Sequence, residues 1–157
     1  MGSSTARIEA AENRCAQQGV KLTERRREVL SALIEAGGAL SAYELLDRCN
    51  KRLSKSMPAM SIYRILDFLQ SHSLVHKLKS NNKFIACAHI DCDHQHFSRS
   101  QFFICSDCPA VEEINIDTSA YEFMRKAAEQ AGFSLSNTQL EFTGSCQRCT
   151  NNGGQPE

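Results

Sequence analysis

Two copies of one short motif restrict this chain more than any other feature in it. Cys105-Ser-Asp-Cys108 and Cys146-Gln-Arg-Cys149 form a CxxC…CxxC pair separated by 37 residues. Each CxxC presents two thiolates to one side of a tight turn, and two such turns complete a tetrahedral Zn²⁺ shell. Four soft, charged ligands leave no open position, so such a site is structural. The gap contains a strand-like run, VEEINI at 111–116, and an amphipathic helix over 119–131, followed by strand-like TQLEFT at 138–143. A chain that satisfies the motif returns the end of this segment to its beginning and closes a small α/β unit. The competing chemistry is a redox dithiol. It is the weaker reading, because a thioredoxin-type CxxC sits singly at a helix N-terminus, whereas two copies here flank strands.

The remaining cysteines fit the same compartment. The opening MGSSTARIEAAENR has no apolar h-region, and no run of about 18 apolar residues could span a bilayer. The expectation is a cytoplasmic protein with no membrane partner, where eight cysteines serve metal or redox chemistry rather than structural disulfides. The net charge of zero conceals an asymmetry. Residues 1–82 hold 13 Lys/Arg against 8 Asp/Glu, and residues 83–157 hold 5 against 10. Six of the eight cysteines and three of the five histidines lie in the second part. A basic half joined to an acidic, ligand-rich half suggests a nucleic-acid reader coupled to a metal-binding module. The division expected from this shift is 1–82 and 83–157.

Helix signals recur through the basic half. Residues 6–18 read as a polar, alanine-rich helix ended by Gly19. In LTERRREVLSALIEA, Thr23 is the expected N-cap, and Val29, Leu30, Leu33 and Ile34 form one apolar stripe ended by Gly37-Gly38. Ser41-Ala-Tyr-Glu44 fits a capping box opening a helix that buries Leu45, Leu46 and Cys49. In PAMSIYRILDFLQSHSLV, Ile62, Ile65, Leu66 and Leu69 fall on one face, while Met60, Tyr63, Arg64 and Asp67 fall on the other. A Tyr-Arg pair pointing outward near the start of a helix suits base-edge and phosphate contact in a major groove. LVHKLKSNNKFIAC then reads as two short strands around Ser80-Asn81-Asn82, a turn that tolerates left-handed backbone. Short helices followed by a hairpin describe a winged helix-turn-helix. The competing reading is a helical domain whose Tyr and Arg only cover its surface.

A second group of candidate ligands remains: His76, Cys87, His89, Asp91, Cys92, Asp93, His94, His96, Glu112 and Glu113. Mixed N, S and O donors are most simply met by Zn²⁺, with Fe²⁺, Co²⁺ and Mn²⁺ chemically compatible. His76 lies on the wing and Cys87 just past it, so a metal held by both and by residues of the acidic half would act as a switch. Cys15 and Cys49 read as small helical hydrophobes, and His72 as a solvent-facing helix residue.

Over residues 11–149 the chain resembles the ferric uptake regulator family, its zinc uptake regulator branch in particular. The resemblance rests on VKLTERRREVL, GALSAYELLD, SIYRILDFLQSHSLVHK, FFICSDCPAVEEI and the distal GSCQRC. It implies an α+β homodimer with an N-terminal winged helix-turn-helix domain and a C-terminal α/β dimerisation domain carrying structural zinc. It implies that structural zinc sits at Cys105, Cys108, Cys146 and Cys149. Regulatory zinc is implied at His76, Cys87, Glu113 and a histidine of the His94-Gln-His96 segment, with His94 and His96 left as alternatives. The cofactor content implied is two Zn²⁺ per subunit. Tyr63 and Arg64 are implied as recognition-helix contacts to double-stranded operator DNA, with Ser61 and Tyr43 assigned to the same role. The implied function is zinc-responsive repression of zinc-uptake genes, with no small-molecule substrate. The alternative is an iron- or peroxide-responsive member of the same family. No histidine follows His96, so the further His/Asp-rich site those branches complete late in the chain has no such ligand here. An enzyme is not expected: a zinc deaminase requires His-x-Glu before its Pro-Cys-x-x-Cys, and neither His-x-Glu nor that proline order occurs.

Overall fold

Local chemistry decides where the N-terminal helices begin and end. The computed structural model describes residues 3–92, 100–136 and 139–151, and the chain divides into two compact units, Met1–Asp93 and His94–Glu157. In the first, α1 (Ser4–Gln17) is capped by Ser3, whose Oγ accepts from the Ala6 N–H at 3.3 Å. α2 (Glu24–Ala36) starts after Thr23, which has the extended backbone of an N-cap but makes no side-chain cap bond. Gly37 ends α2 at φ 62°, a left-handed conformation that favours glycine. α3 (Ala42–Arg52) opens on a complete capping box. The Glu44 N–H donates to Ser41 Oγ at 3.2 Å, and the Ser41 N–H donates to the Glu44 carboxylate at 2.7 Å.

The loop before α4 (Ala59–Ser71) is held by Asn50, whose amide accepts from the Met57 N–H at 2.7 Å and donates to the Met57 carbonyl at 3.3 Å. Ile62, Ile65, Leu66 and Leu69 of α4 enter one apolar core with Val29, Leu30 and Leu33 of α2 and Leu45 and Cys49 of α3. Ile8, Ala11 and Cys15, at i, i+3 and i+7, bring α1 into the same core. Met60, Tyr63, Arg64 and Asp67 lie exposed on the other face of α4.

β1 (Val75–Leu78) and β2 (Lys83–Ala86) pair antiparallel, with Asn82 at φ 54° in the connecting turn. Leu40 extends this hairpin by one rung, its N–H and carbonyl both bonded to Phe84 at 2.9 and 2.7 Å. The unit is a winged helix-turn-helix. Because β2 pairs with β1, the first unit runs past the division at residue 82 that charge suggests. His72 also departs from expectation. It caps α4 half-buried, its ring 4.4 Å from that of Phe68 and its Nδ1 against the Gln18 side chain.

The second unit is built on β3 (Ser100–Cys105), flanked antiparallel by β4 (Val111–Asn115) and parallel by β5 (Leu140–Gly144). Parallel pairing requires a crossover, supplied by α5 (Thr118–Gln130), whose N-cap Asp117 accepts from the Ser119 N–H at 2.9 Å. A short α6 (Gln147–Asn151) follows β5. Phe102 and Ile104 are buried while Phe103 between them is exposed, as the period-two pleat dictates. No residue of α5 is fully buried within the chain, though Tyr121 and Met124 are half-buried. None of the described helices is long and apolar enough to cross a membrane.

Replacing Ser41 by Ala removes the box from α3 and is expected to cost about 1 kcal/mol of stability, read by denaturant unfolding. The Ser41 N–H, the largest influence, and its hydroxyl hold the Glu44 carboxyl below its ordinary value of 4.5. A carboxyl depressed in the folded state contributes fully above its unfolded value and loses that contribution as pH falls through the folded value. The stability difference between wild type and Glu44→Gln should therefore be constant near neutrality and shrink below about pH 4.5.

Candidate metal centre and nucleic-acid interface

Register assembles the cysteine cluster. β3 and β5 run parallel with Cys105 opposite Gly144, so both strands deliver the residues that follow them to the same end of the sheet. After β3 the chain turns tightly, with the Cys105 N–H donating to the Ala110 carbonyl at 3.0 Å. The Ser106 N–H carries the pairing one step further, to the Gly144 carbonyl at 2.8 Å. After β5, the Thr150 N–H donates to the Cys146 carbonyl at 2.9 Å, closing the helical turn that bears Cys149. Ser145 Oγ donates to Asp107 at 2.7 Å and ties one turn to the other.

The four sulfurs of Cys105, Cys108, Cys146 and Cys149 all lie within 4.8 Å of one another. Cys105 and Cys149 are 3.9 Å apart, and Cys108 and Cys146 3.7 Å. These separations exceed a disulfide bond, about 2.05 Å. They match the edge of a tetrahedron with Zn–S bonds of about 2.3 Å, which is ~3.8 Å.

Electrostatics point the same way. The Cys146 N–H, at 3.3 Å, and the Asp107 N–H, at 3.4 Å, donate to Cys105 Sγ and lower its thiol to about 6. Cys146 is lowered chiefly by the N–H of Cys149. Cys149 is pushed up to about 12, first by its hydrogen bond with Cys146 and then by that with Cys108. Four thiols packed this closely share protons unless a cation replaces them. The donor set, its spacing and its N–H···S bonds fit Zn²⁺, which these four residues would hold in a closed shell.

In the first unit, a ring nitrogen of His76 on β1 and the Sγ of Cys87, just past β2, lie within 4.8 Å of each other. Cys87 is buried, and its N–H donates to the Leu74 carbonyl at 3.0 Å. Glu113 stands on β4 of the second unit, where its carboxylate accepts from Ser100 Oγ at 2.8 Å. His94 and His96 lie outside the described residues. Cys92 Sγ stands 3.9 Å from His89 Nδ1.

Of the residues expected at DNA, Tyr63 and Arg64 are exposed on α4 and Ser61 is half-buried in its first turn. Tyr43, on α3, is 73% exposed, so most of its surface faces water. Two residues escaped sequence reasoning. Arg7 and Arg14 of α1 reach the carbonyls of residues 87–90 instead of facing solvent. Their spacing of two helical turns, beside the buried stripe of α1, was the available signal.

A family model described as the ferric uptake regulator family matches residues 17–143. The zinc uptake regulation protein of Escherichia coli (strain K12) is 37% identical over 139 residues, covering 88% of this chain and 78% of that one. A solved structure of a zinc uptake regulator complexed with zinc and DNA has a TM-score of 0.83 at 33% identity, covering 97% of this chain and 98% of that one. The crystal structure of holo XcZur gives 0.77 at 32% identity, over 95% of this chain and 99% of that one.

Replacing Cys149 by Ser leaves three thiolates. Zinc retained through a chelator wash, measured by elemental analysis, should fall by about one equivalent per chain, with a lowered Tm. Cys15→Ser, which touches only the buried core of the first unit, should leave zinc content unchanged.

Proposed function

The chain belongs to the ferric uptake regulator family, and from that premise we propose that it is a zinc-responsive transcriptional repressor of zinc-uptake genes. It works in the cytoplasm as a zinc-loaded homodimer on palindromic operators. The observation that carries this reading is the coexistence of two chemically different ligand groups in a chain with a winged helix. The cluster of Cys105, Cys108, Cys146 and Cys149 is closed and suits a permanent ion. His76 and Cys87 are a mixed pair that needs further donors, and an incomplete, mixed set suits an ion that comes and goes. Each subunit thus takes two zinc ions. The regulatory one is held by His76, Cys87, Glu113 and one histidine of the pair His94 and His96. A thiol in that set favours zinc over iron, and the relatives named for zinc support the same choice.

DNA is read by α4. Tyr63, Arg64 and Ser61 face a major groove, and Tyr43 of α3 lies alongside. Two-fold symmetry of the protein matches the palindrome, with recognition helices one helical turn apart. Apolar exposure in the second unit supports the dimer. Phe103 and Phe142 are register partners with rings 5.7 Å apart, and both are about half exposed. Phe123 of α5 is 76% exposed and Phe133 69%. Faces of this kind belong to interfaces, and a second copy of the same unit covers them.

Zinc at the regulatory site stabilises the DNA-binding arrangement by as much as it binds that arrangement better than the alternatives. Fluorescence anisotropy on the promoter of the host's zinc importer tests this directly. Tight binding is expected with zinc and weak binding after chelation of the labile ion. Undiminished binding after that chelation would overturn the proposal. Elemental analysis should find two zinc per chain, one of them removed by mild chelation. Arg64→Ala should weaken operator binding by about 1–3 kcal/mol, and binding should fall steeply with salt.

A further inference from the structure

The segment that carries Cys87 is held from behind by one face of α1. Arg7 Nη2 donates to the Cys87 carbonyl at 2.7 Å. Two turns along, Arg14 Nη2 donates to the carbonyls of His89 at 3.0 Å and Ile90 at 2.8 Å. The other amine of the same guanidinium, Nη1, donates to the Ser73 carbonyl at 3.2 Å, immediately after α4 ends. Seven residues of α-helix span about 10 Å, so the two side chains meet a stretch of chain at two separated points. The buried stripe of Ile8, Ala11 and Cys15 anchors α1 itself.

These bonds have a specific effect on Cys87. Its N–H is fixed by Leu74 and its carbonyl by Arg7, so both peptide planes that set the direction of its Cα–Cβ bond are pinned. Carbonyl oxygens in irregular chain need donors when they leave water. A guanidinium is suited to the task, because its planar fork serves several acceptors at fixed angles where an ammonium serves as a point. Arg14 also spans two parts of the chain. It joins the exit of α4, the helix that bears Tyr63 and Arg64, to the stretch that follows Cys87.

We infer that Arg7 and Arg14 are positioning residues of the regulatory metal site: they hold residues 87–90 so that the Cys87 thiol meets a divalent ion beside His76, and Arg14 fastens that stretch to the end of the DNA-reading helix. The inference rests on the proposed regulatory role of His76 and Cys87. Neither arginine touches the ion. Arg7 acts on the backbone of the ligand Cys87 and Arg14 on that of the residues that follow it, the way outer-shell partners govern metal sites, where their loss costs about 10–100-fold in affinity.

The test uses the full-length dimer with its tightly held zinc in place and adds Co²⁺ to the labile site. A thiolate-to-cobalt charge-transfer band reports Cys87 directly, and competition with Zn²⁺ reports affinity. Wild type should show the band and Cys87→Ser should lose it; a band that survives Cys87→Ser removes the regulatory-site reading itself. With that established, Arg7→Lys and Arg14→Lys, which keep the charge but lose the planar fork and one bond of reach, should weaken Zn²⁺ binding about 10–100-fold and diminish the band. Arg27→Lys is the control, since Arg27 pairs with Glu12 to join α1 to α2 without touching residues 87–90. Wild-type affinity and band in both lysine variants would overturn the inference. So would a loss of the same size in Arg27→Lys, because the effect would then belong to α1 docking in general. Retained tight zinc and an unchanged Tm in the lysine variants separate positioning from unfolding.

Discussion

The parallel register of β3 and β5 is the constraint from which the second unit follows. Pairing Cys105 with Gly144 puts two tight turns at one sheet end, and only then do four thiols come within a few ångströms. A slip of one residue would turn every side chain on β5 to the opposite face and scatter the sulfurs. Pairing alone is a weak warrant for that register, because β5 is short and the crossover that precedes it is long. A dication that accepts four thiolates at one point adds the specificity the ladder lacks, since closing so long a loop costs entropy that local contacts do not recover. Zinc and register therefore select each other.

The first unit spends much of its charge internally. Arg7 and Arg14 serve carbonyls, Arg26 donates to the Lys21 carbonyl and stacks on Phe68, Arg27 meets Glu12, and Arg52 meets Glu35. A surplus of basic residues in this half is thus not in itself the footprint of a polyanion. The case for DNA rests on placement: a helix whose apolar face is wholly consumed by the core leaves its other face, with Tyr63 and Arg64, turned outward. The same economy applies to cysteine. Cys15 and Cys49 are buried in the helical core, where desolvation raises both thiols and suppresses their chemistry.

What sequence reveals here divides by range. The capping box at Ser41 and Glu44, the α4 stripe, the left-handed Asn82 and the paired CxxC motifs were all legible, because each is written in residues a few positions apart or in a ligand type with few alternative uses. Thr23 shows where local rules stop: the residue stands at the cap position, but its hydroxyl makes no cap bond. His72 is more enclosed than a solvent-facing helix residue because of a partner, Gln18, that is 54 positions away. Arg7 and Arg14 were missed for the same reason, with carbonyl partners 59 to 80 positions distant and no side-chain identity to mark them. Backbone acceptors carry no signature in sequence. The choice between His94 and His96 falls in residues 93–99, outside the described part of the second group of ligands.

α5 carries a further meaning. Helices of its length are marginal in water unless one face is packed, and within a single chain this one has half-buried residues, such as Tyr121 and Met124, but none fully buried. A second copy therefore adds packing that the single chain does not give this helix, and the stability of the second unit is coupled to dimerisation. Below the dissociation constant of the dimer, the helix and the crossover it forms between β4 and β5 lose that added packing. Cellular copy number thereby becomes a thermodynamic variable for the fold itself, acting alongside metal supply. Newly made chains complete the packing of their C-terminal unit by meeting one another.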